Sequence, residues 1–337
     1  MYIRLHFVLL GWILASAGAA AQPQGSAGAS PALPKLSAPR DANCALGPHL
    51  SKSLELDRSA SDLIARHPWL KDTFTWCTGL ALGTPEQQGS FISSCFAAQC
   101  KGANTCETGV RQLATMVVAN AATRAQLRSK RKACESMWAA EVFRKQATAM
   151  DAFVNLQVSI ATGHEMRARQ LSMGSEDDFE LLQALVAFHA ALEAFFETSI
   201  STYGLVAAEL ARVQLAAMAP KPPTPLDALE WVEQGQSVTI RSPDGKVRST
   251  FVRDEGRWKL DLDAFIRASS TINPPLLHLM AFAFEEAATY VEARRAPSPT
   301  IAANAAAQCT TVGMFFVMVS LEKAKQVCAE FIEGKLQ

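Results

Sequence analysis

The residues best spaced for chemistry are His189 and Glu193, four positions apart in an apolar run that begins after Ser175. An imidazole and a carboxylate at that spacing share one helix face and can form a perturbed acid/base couple. The neighbours argue for a blander role. Leu181, Leu182, Leu185, Val186, Leu192, Phe195 and Phe196 recur around His189 at three- and four-residue steps, the pattern of a core-facing stripe. A core histidine satisfied by a hydrogen bond is therefore the leading reading, with catalysis at His189 and Glu193 as the alternative. The same holds for His278, flanked by Leu277 and Leu279 and followed by Glu285 and Glu286. His164-Glu165-Met166-Arg167-Ala168 opens like a zincin helix but lacks the second His that would put two imidazoles on one face. The chain carries no Gly-x-Ser-x-Gly elbow, P-loop or Gly-x-Gly-x-x-Gly fingerprint. No cofactor is expected.

The second chemistry is sulfur. Eight cysteines, Cys44, Cys77, Cys95, Cys100, Cys106, Cys134, Cys309 and Cys328, all follow an N-terminal export-like segment. An even count behind such a segment favours disulfides, although eight cysteines allow ~105 pairings and spacing does not choose among them. If residues 309–328 form one helix, a rise of about 1.5 Å per residue separates Cys309 from Cys328 by roughly 28 Å, too far for a mutual bridge. A mutual pair would need a tight reversal around Thr310 to Gly313, and at least one of the two is instead expected to tie the tail to another part of the chain. Zinc is the weaker reading, because Cys95-x4-Cys100-x5-Cys106 lacks the two-residue spacing of a zinc knuckle and has no His beside it.

The export signal lies in residues 1–21. Arg4 precedes an apolar stretch from Phe7 to Ala20, diluted by Gly11, Ser16 and Gly18, with small residues up to Ala21. This is the layout of a cleaved signal peptide, with cleavage after Ala21. The stretch is short for a span, which needs about 20 apolar residues. Residues 22–43 are rich in Gln, Pro, Gly, Ser and Ala and form a flexible leader.

The elements that must position these groups follow in order. Residues 44–135 are cysteine-rich and helical, with Thr84-Pro85-Glu86-Gln87 starting a helix to about Ala98. Residues 136–219 are helical: Gly163 interrupts, Ser175 caps the next helix with Glu176, Asp177 and Asp178 at its positive end, and Tyr203-Gly204 stops it. Residues 220–296 open on Pro220 to Pro225, which cannot continue a helix, and then give a short helix. Alternation over Ser237–Arg241, Lys246–Arg253 and Arg257–Leu262, separated by Ser-Pro-Asp-Gly and Asp-Glu-Gly turns, predicts a three-stranded antiparallel meander. A helix after Asn273-Pro274-Pro275 follows. Residues 297–337 form a helical tail with one final helix to about Glu333, whose apolar run Val312 to Val319 is expected to be buried packing. The fold class is mainly α with a small antiparallel β-meander, an α+β chain whose N-terminal half is stapled by disulfides.

Over residues 145–295 this order, with the closing strand Gly256-Arg257-Trp258-Lys259-Leu260-Asp261, resembles small exported bacterial proteins of unknown function, some with NTF2-like cone folds. The resemblance implies a sheet wrapped on helices and transfers no catalytic residue.

Surface composition narrows the partners. Lys plus Arg number 32 and Asp plus Glu 32, so the net charge is zero and nucleic acid is not an expected partner. Arg124, Arg128, Arg131 and Lys132 share a helix side and are expected to be solvated. Trp69, Trp76, Trp138, Trp231 and Trp258 are expected in packing rather than in a ligand groove. Met314, Phe315, Phe316 and Met318 are expected to be buried within the chain, with a partner-binding face as the alternative. The sequence thus points to a noncatalytic exported module, periplasmic or secreted. Its partner would be another protein or an apolar small ligand, held without a stable membrane span once the signal is removed.

Overall fold

The computed structural model describes residues 47–67, 148–161, 163–218, 229–268 and 273–336, with scattered positions between 69 and 129. Along the chain run α1 (Gly47–Arg66), α2 (Ala149–Ala161), α3 (Glu165–Gln170), β1 (Ser172–Met173), α4 (Glu176–Tyr203) and α5 (Leu205–Met218). There follow β2 (Glu230–Gln234), β3 (Ser237–Arg241), β4 (Val247–Asp254), β5 (Arg257–Asp261), α6 (Leu262–Ala268), α7 (Pro274–Glu292), α8 (Pro299–Val317) and α9 (Leu321–Leu336). Among the described residues the chain is mostly helical with a small mixed sheet, an α+β arrangement.

Helix ends follow local chemistry. The Ser175 hydroxyl accepts the Asp178 amide at 3.2 Å while the Asp178 carboxylate accepts the Ser175 amide at 2.7 Å, a reciprocal cap on α4. Gly204, at φ 88°, ends α4 with its amide donating to Ile200 O. Asn273 Oδ1 accepts the Leu276 amide at 2.8 Å, and Ser298 Oγ accepts the Ile301 amide at 3.2 Å, so α7 and α8 both begin with a polar cap followed by proline. The Tyr203 hydroxyl donates to Ala296 O and so ties the end of α4 to the turn between α7 and α8. Burial pushes the Tyr203 phenol above its ordinary value, against a smaller opposing pull from Arg294.

The stripe on α4 packs along α7, where the Phe188 and Phe195 rings meet Phe284 edge-on at 6.0 and 5.6 Å. Helix α7 also packs on α8 and α9, and α5 lies against α4 and α8. On the other side, the Phe153 ring of α2 meets Trp231 at 5.7 Å and Phe251 at 6.2 Å, which seats α2 on the sheet. Among the described residues a cluster of buried side chains runs from Ala149 to Leu336, so the described parts of 136–219, 220–296 and 297–337 share a core.

The sheet differs from the expected meander. It is mixed and five-stranded, in the order β1-β5-β4-β3-β2, with β1 parallel to β5 and the other neighbours antiparallel. Strand β2 occupies residues where a short helix is expected. Trp231 and Val232 suit a strand, and the reversal at Gly235, φ 61°, sets Gln234 opposite Ser237. Strand β1 is two residues long, too short to show alternation. It is held through Leu260 N donating to Leu171 O at 2.8 Å.

The tail requires a larger correction. In place of one final helix there are two antiparallel ones, α8 and α9, reversing through Met318–Ser320, where the Val319 and Ser320 amides both donate to Phe316 O at 2.9 and 2.8 Å. Cys309 and Cys328 are bridged to each other, with Cα atoms 4.9 Å apart. The pairing excluded for a single helix becomes natural here, because the two cysteines lie symmetrically about the turn. Between bridge and turn, a Cβ on Gly313 would meet Leu279 Cδ2 at 2.8 Å and Ala324 O at 3.3 Å, so the arms approach as closely as glycine allows.

Cys100 and Cys106 also form a disulfide, Cα to Cα 5.3 Å, and Cys95 is disulfide-bonded. Stapling is thus not confined to the N-terminal half. Cys44, Cys77, Cys134, the signal at Ala21, the leader and Pro220 to Pro225 lie outside the described residues. Within the helix expected over residues 84–98, positions 90, 94, 95, 97 and 98 are described and helical.

Candidate functional site

Among the described residues, two clusters invert the usual sorting of polar and apolar groups. The first is a buried charge network. Glu209 and Arg212 stand three apart in α5, whose other residues are apolar apart from the buried Gln214, with Glu209 1% and Arg212 6% exposed. Glu209 Oε1 is 3.6 Å from Arg212 Nε, and its Oε2 is 3.5 Å from Arg124 Nε. Arg212 Nη2 lies 3.8 Å from Glu193 Oε2 on α4, and its guanidinium carbon sits 3.8 Å over the Phe196 ring. Two carboxylates and two guanidiniums so balance one another while joining α4, α5 and the helical segment around residue 124. The same segment is tied to α1 by the Ser53 hydroxyl donating to Asn120 Oδ1 at 2.8 Å, a buried bond.

This geometry decides the placement of the predicted couple. The Glu193 carboxylate turns to Arg212. His189 has the Phe188 ring beside it at 5.5 Å, and burial lowers its pKa to about 3. The half-buried imidazole is therefore neutral across the physiological range. His278 is half-buried in the first turns of α7, and Glu285 lies two helical turns further on. Arg124 corrects the expectation of a solvated basic face, because its side chain is only 12% exposed and is paired with Glu209. Arg128, Arg131 and Lys132 lie outside the described residues.

The second place is the turn between α8 and α9. Phe315, Met318 and Val319 are 71%, 80% and 87% exposed and Phe316 is 37% exposed, so the expectation that this run is buried is overturned. Only Val317 and Gly313 of the run face inward. Four large apolar side chains crown a hairpin whose arms are bridged by Cys309 and Cys328. Isolated exposed apolar residues are ordinary, but a contiguous set is an interaction signature.

The tryptophans divide. Trp258 is buried on the inner face of β5, Trp231 is half-buried against α2, and Trp69 is exposed beside the His67 ring at 6.0 Å. Trp76 and Trp138 are outside the described residues. Among the described residues no three His, Cys, Asp or Glu side chains gather as a metal site. The Cys95, Cys100 and Cys106 sulfurs, considered above for zinc, are all in disulfides. Helices α4 and α8 are long and apolar enough to cross a membrane, and 56% of each apolar window is buried within the chain.

Sequence reasoning misses Glu209 and Arg212. The available signal was two opposite charges three apart in Leu205–Met218, a helix with no other charged residue. Against family models, curated proteins and solved structures alike, the chain finds no match.

Proposed function

We propose that this chain is an exported, noncatalytic interaction module that works through the tip of the α8–α9 hairpin. The observation that carries the reading is the contiguous exposure of Phe315, Phe316, Met318 and Val319 on a disulfide-bridged turn. Periplasmic or secreted residence is part of the proposal, supported by the Phe7 to Ala20 segment and by bridges that persist in an oxidising compartment. The titratable pair that an enzyme would need is otherwise engaged, since Glu193 faces Arg212. The NTF2-like resemblance of residues 145–295 stays within the proposal. It is supported by Trp258, whose ring turns inward from the Gly256–Asp261 strand onto the core.

The test is retention of the folded, oxidised chain on a phenyl matrix. The proposal expects Phe315→Ser/Met318→Ser to elute much earlier than the parent, with circular dichroism and the Cys309–Cys328 bridge unchanged. Equal retention would overturn it. In parallel, the chain recovered from the extracytoplasmic fraction is expected to begin at Gln22 with its cysteines bridged.

A further inference from the structure

We infer that the α8–α9 tip seats in the interfacial layer of a phospholipid bilayer, entering by apolar contact rather than by charge. The inference rests on the docking role proposed above and names the partner. The exposed apolar area is small for a stable contact with a second copy of the chain. At ~150–250 Å² for a whole large side chain, the four fractional exposures amount to about 500 Å², against the ~800 Å² that each partner gives to a standard protein interface.

The charge pattern also selects lipid. No Asp, Glu, Lys or Arg occurs from Ala296 to Ser320. Helix α7 packs beside this hairpin with Leu279 against Gly313, so its N-terminal turns lie at the tip end, and it too carries no such residue from Pro274 to Phe284. The hairpin and α7 are thus uncharged at the tip end, while α4, which the Tyr203–Ala296 bond sets parallel to α7, brings Glu176, Asp177 and Asp178 to the same end of the bundle. Charges begin on α9 with Glu322, Lys323 and Lys325 in its first turns, where an interfacial segment would set them among the headgroups.

Backbone chemistry agrees. Apolar surroundings penalise unpaired amides, yet the Val319 and Ser320 amides are satisfied by Phe316 O, and Ser320 Oγ accepts the Lys323 amide at 3.3 Å. The turn can leave water without stranding these donors. The Cys309–Cys328 bridge and the close contact at Gly313 hold the arms together behind it.

The experiment floats the full oxidised chain with phosphatidylcholine vesicles and with vesicles containing phosphatidylglycerol. The parent is expected to float with both, with little dependence on salt. Phe315→Ser/Met318→Ser is expected to bind at least tenfold more weakly. Comparing variant with parent isolates the tip from any contribution of Phe7 to Ala20. Phe316→Trp should add a fluorescence component that lipids brominated on their acyl chains quench. Equal flotation of parent and variant, or an added component that brominated lipid leaves unquenched, would overturn the inference. If the variant leaves the phenyl matrix early but floats like the parent, the membrane reading fails and the docking role stands; unchanged phenyl retention removes both. A parent that stays in solution as a dimer, with the variant monomeric, would assign the tip to a second copy and overturn the bilayer reading.

Discussion

The α4–α5 charge network and the α8–α9 tip break the same rule in opposite directions, one by burying charge and the other by exposing apolar surface. The difference lies in where each finds its partner. Glu209 sits between Arg124 and Arg212, and Arg212 also meets Glu193 and the Phe196 ring, so the inversion is balanced inside the chain. Phe315, Met318 and Val319 face solvent, so their balance must come from outside. A balanced inversion is architecture, and an unbalanced one points to function.

The comparison breaks most visibly at the network. Glu209→Leu should cost about 3–5 kcal/mol in urea unfolding, because it leaves two buried guanidiniums short of a carboxylate. Glu209→Leu/Arg212→Met should lose less than the two single losses added together, the coupling expected of groups in contact. Additive losses would mean that the network does not act as a unit.

Next in size is the staple. Cys309→Ser/Cys328→Ser should cost about 3 kcal/mol, in line with a closed loop of this length, and should weaken vesicle binding by loosening the arms behind the tip. A pH titration sharpens the buried side. The native His189 imidazole has a pKa of about 3 against an ordinary 6.5, so the unfolded chain takes up the proton first. Stability is then full above about pH 6.5 and falls as the pH drops toward 3, by at most ~1.4 kcal/mol per pH unit. His189→Leu should flatten that limb of the unfolding curve. The smallest effect lies at the β4–β5 turn, where Glu255 holds φ 47° beside Gly256 at φ 76°. Glu255→Asn should raise stability by roughly 0.5–1 kcal/mol by suiting the left-handed backbone.

Local chemistry made much of the scaffold legible. Ser175, Asn273 and Gly204 mark their helix ends through bonds to residues within one turn, and the inward stripe on α4 follows from its period. Strand β1 carried no signal, since two residues pair only because Leu260 arrives from far along the chain. The Cys309–Cys328 bridge was hidden by an apolar run that looks helical throughout. Its break at Met318–Ser320 has no glycine or proline to announce it. The candidate sites were the least legible. Arg124 and Glu209 are 85 positions apart, and an apolar run such as Val312 to Val319 reads as core unless the course of the neighbouring helices is known.

The central claim is that the tip is exposed and is used. Unfolding and vesicle flotation of Phe315→Ser/Met318→Ser, measured side by side with the parent, test it most directly. The variant should change stability by no more than about 0.5 kcal/mol, as at other surface positions, and should lose flotation. A loss of several kcal/mol, the signature of a core residue, or undiminished flotation would contradict it.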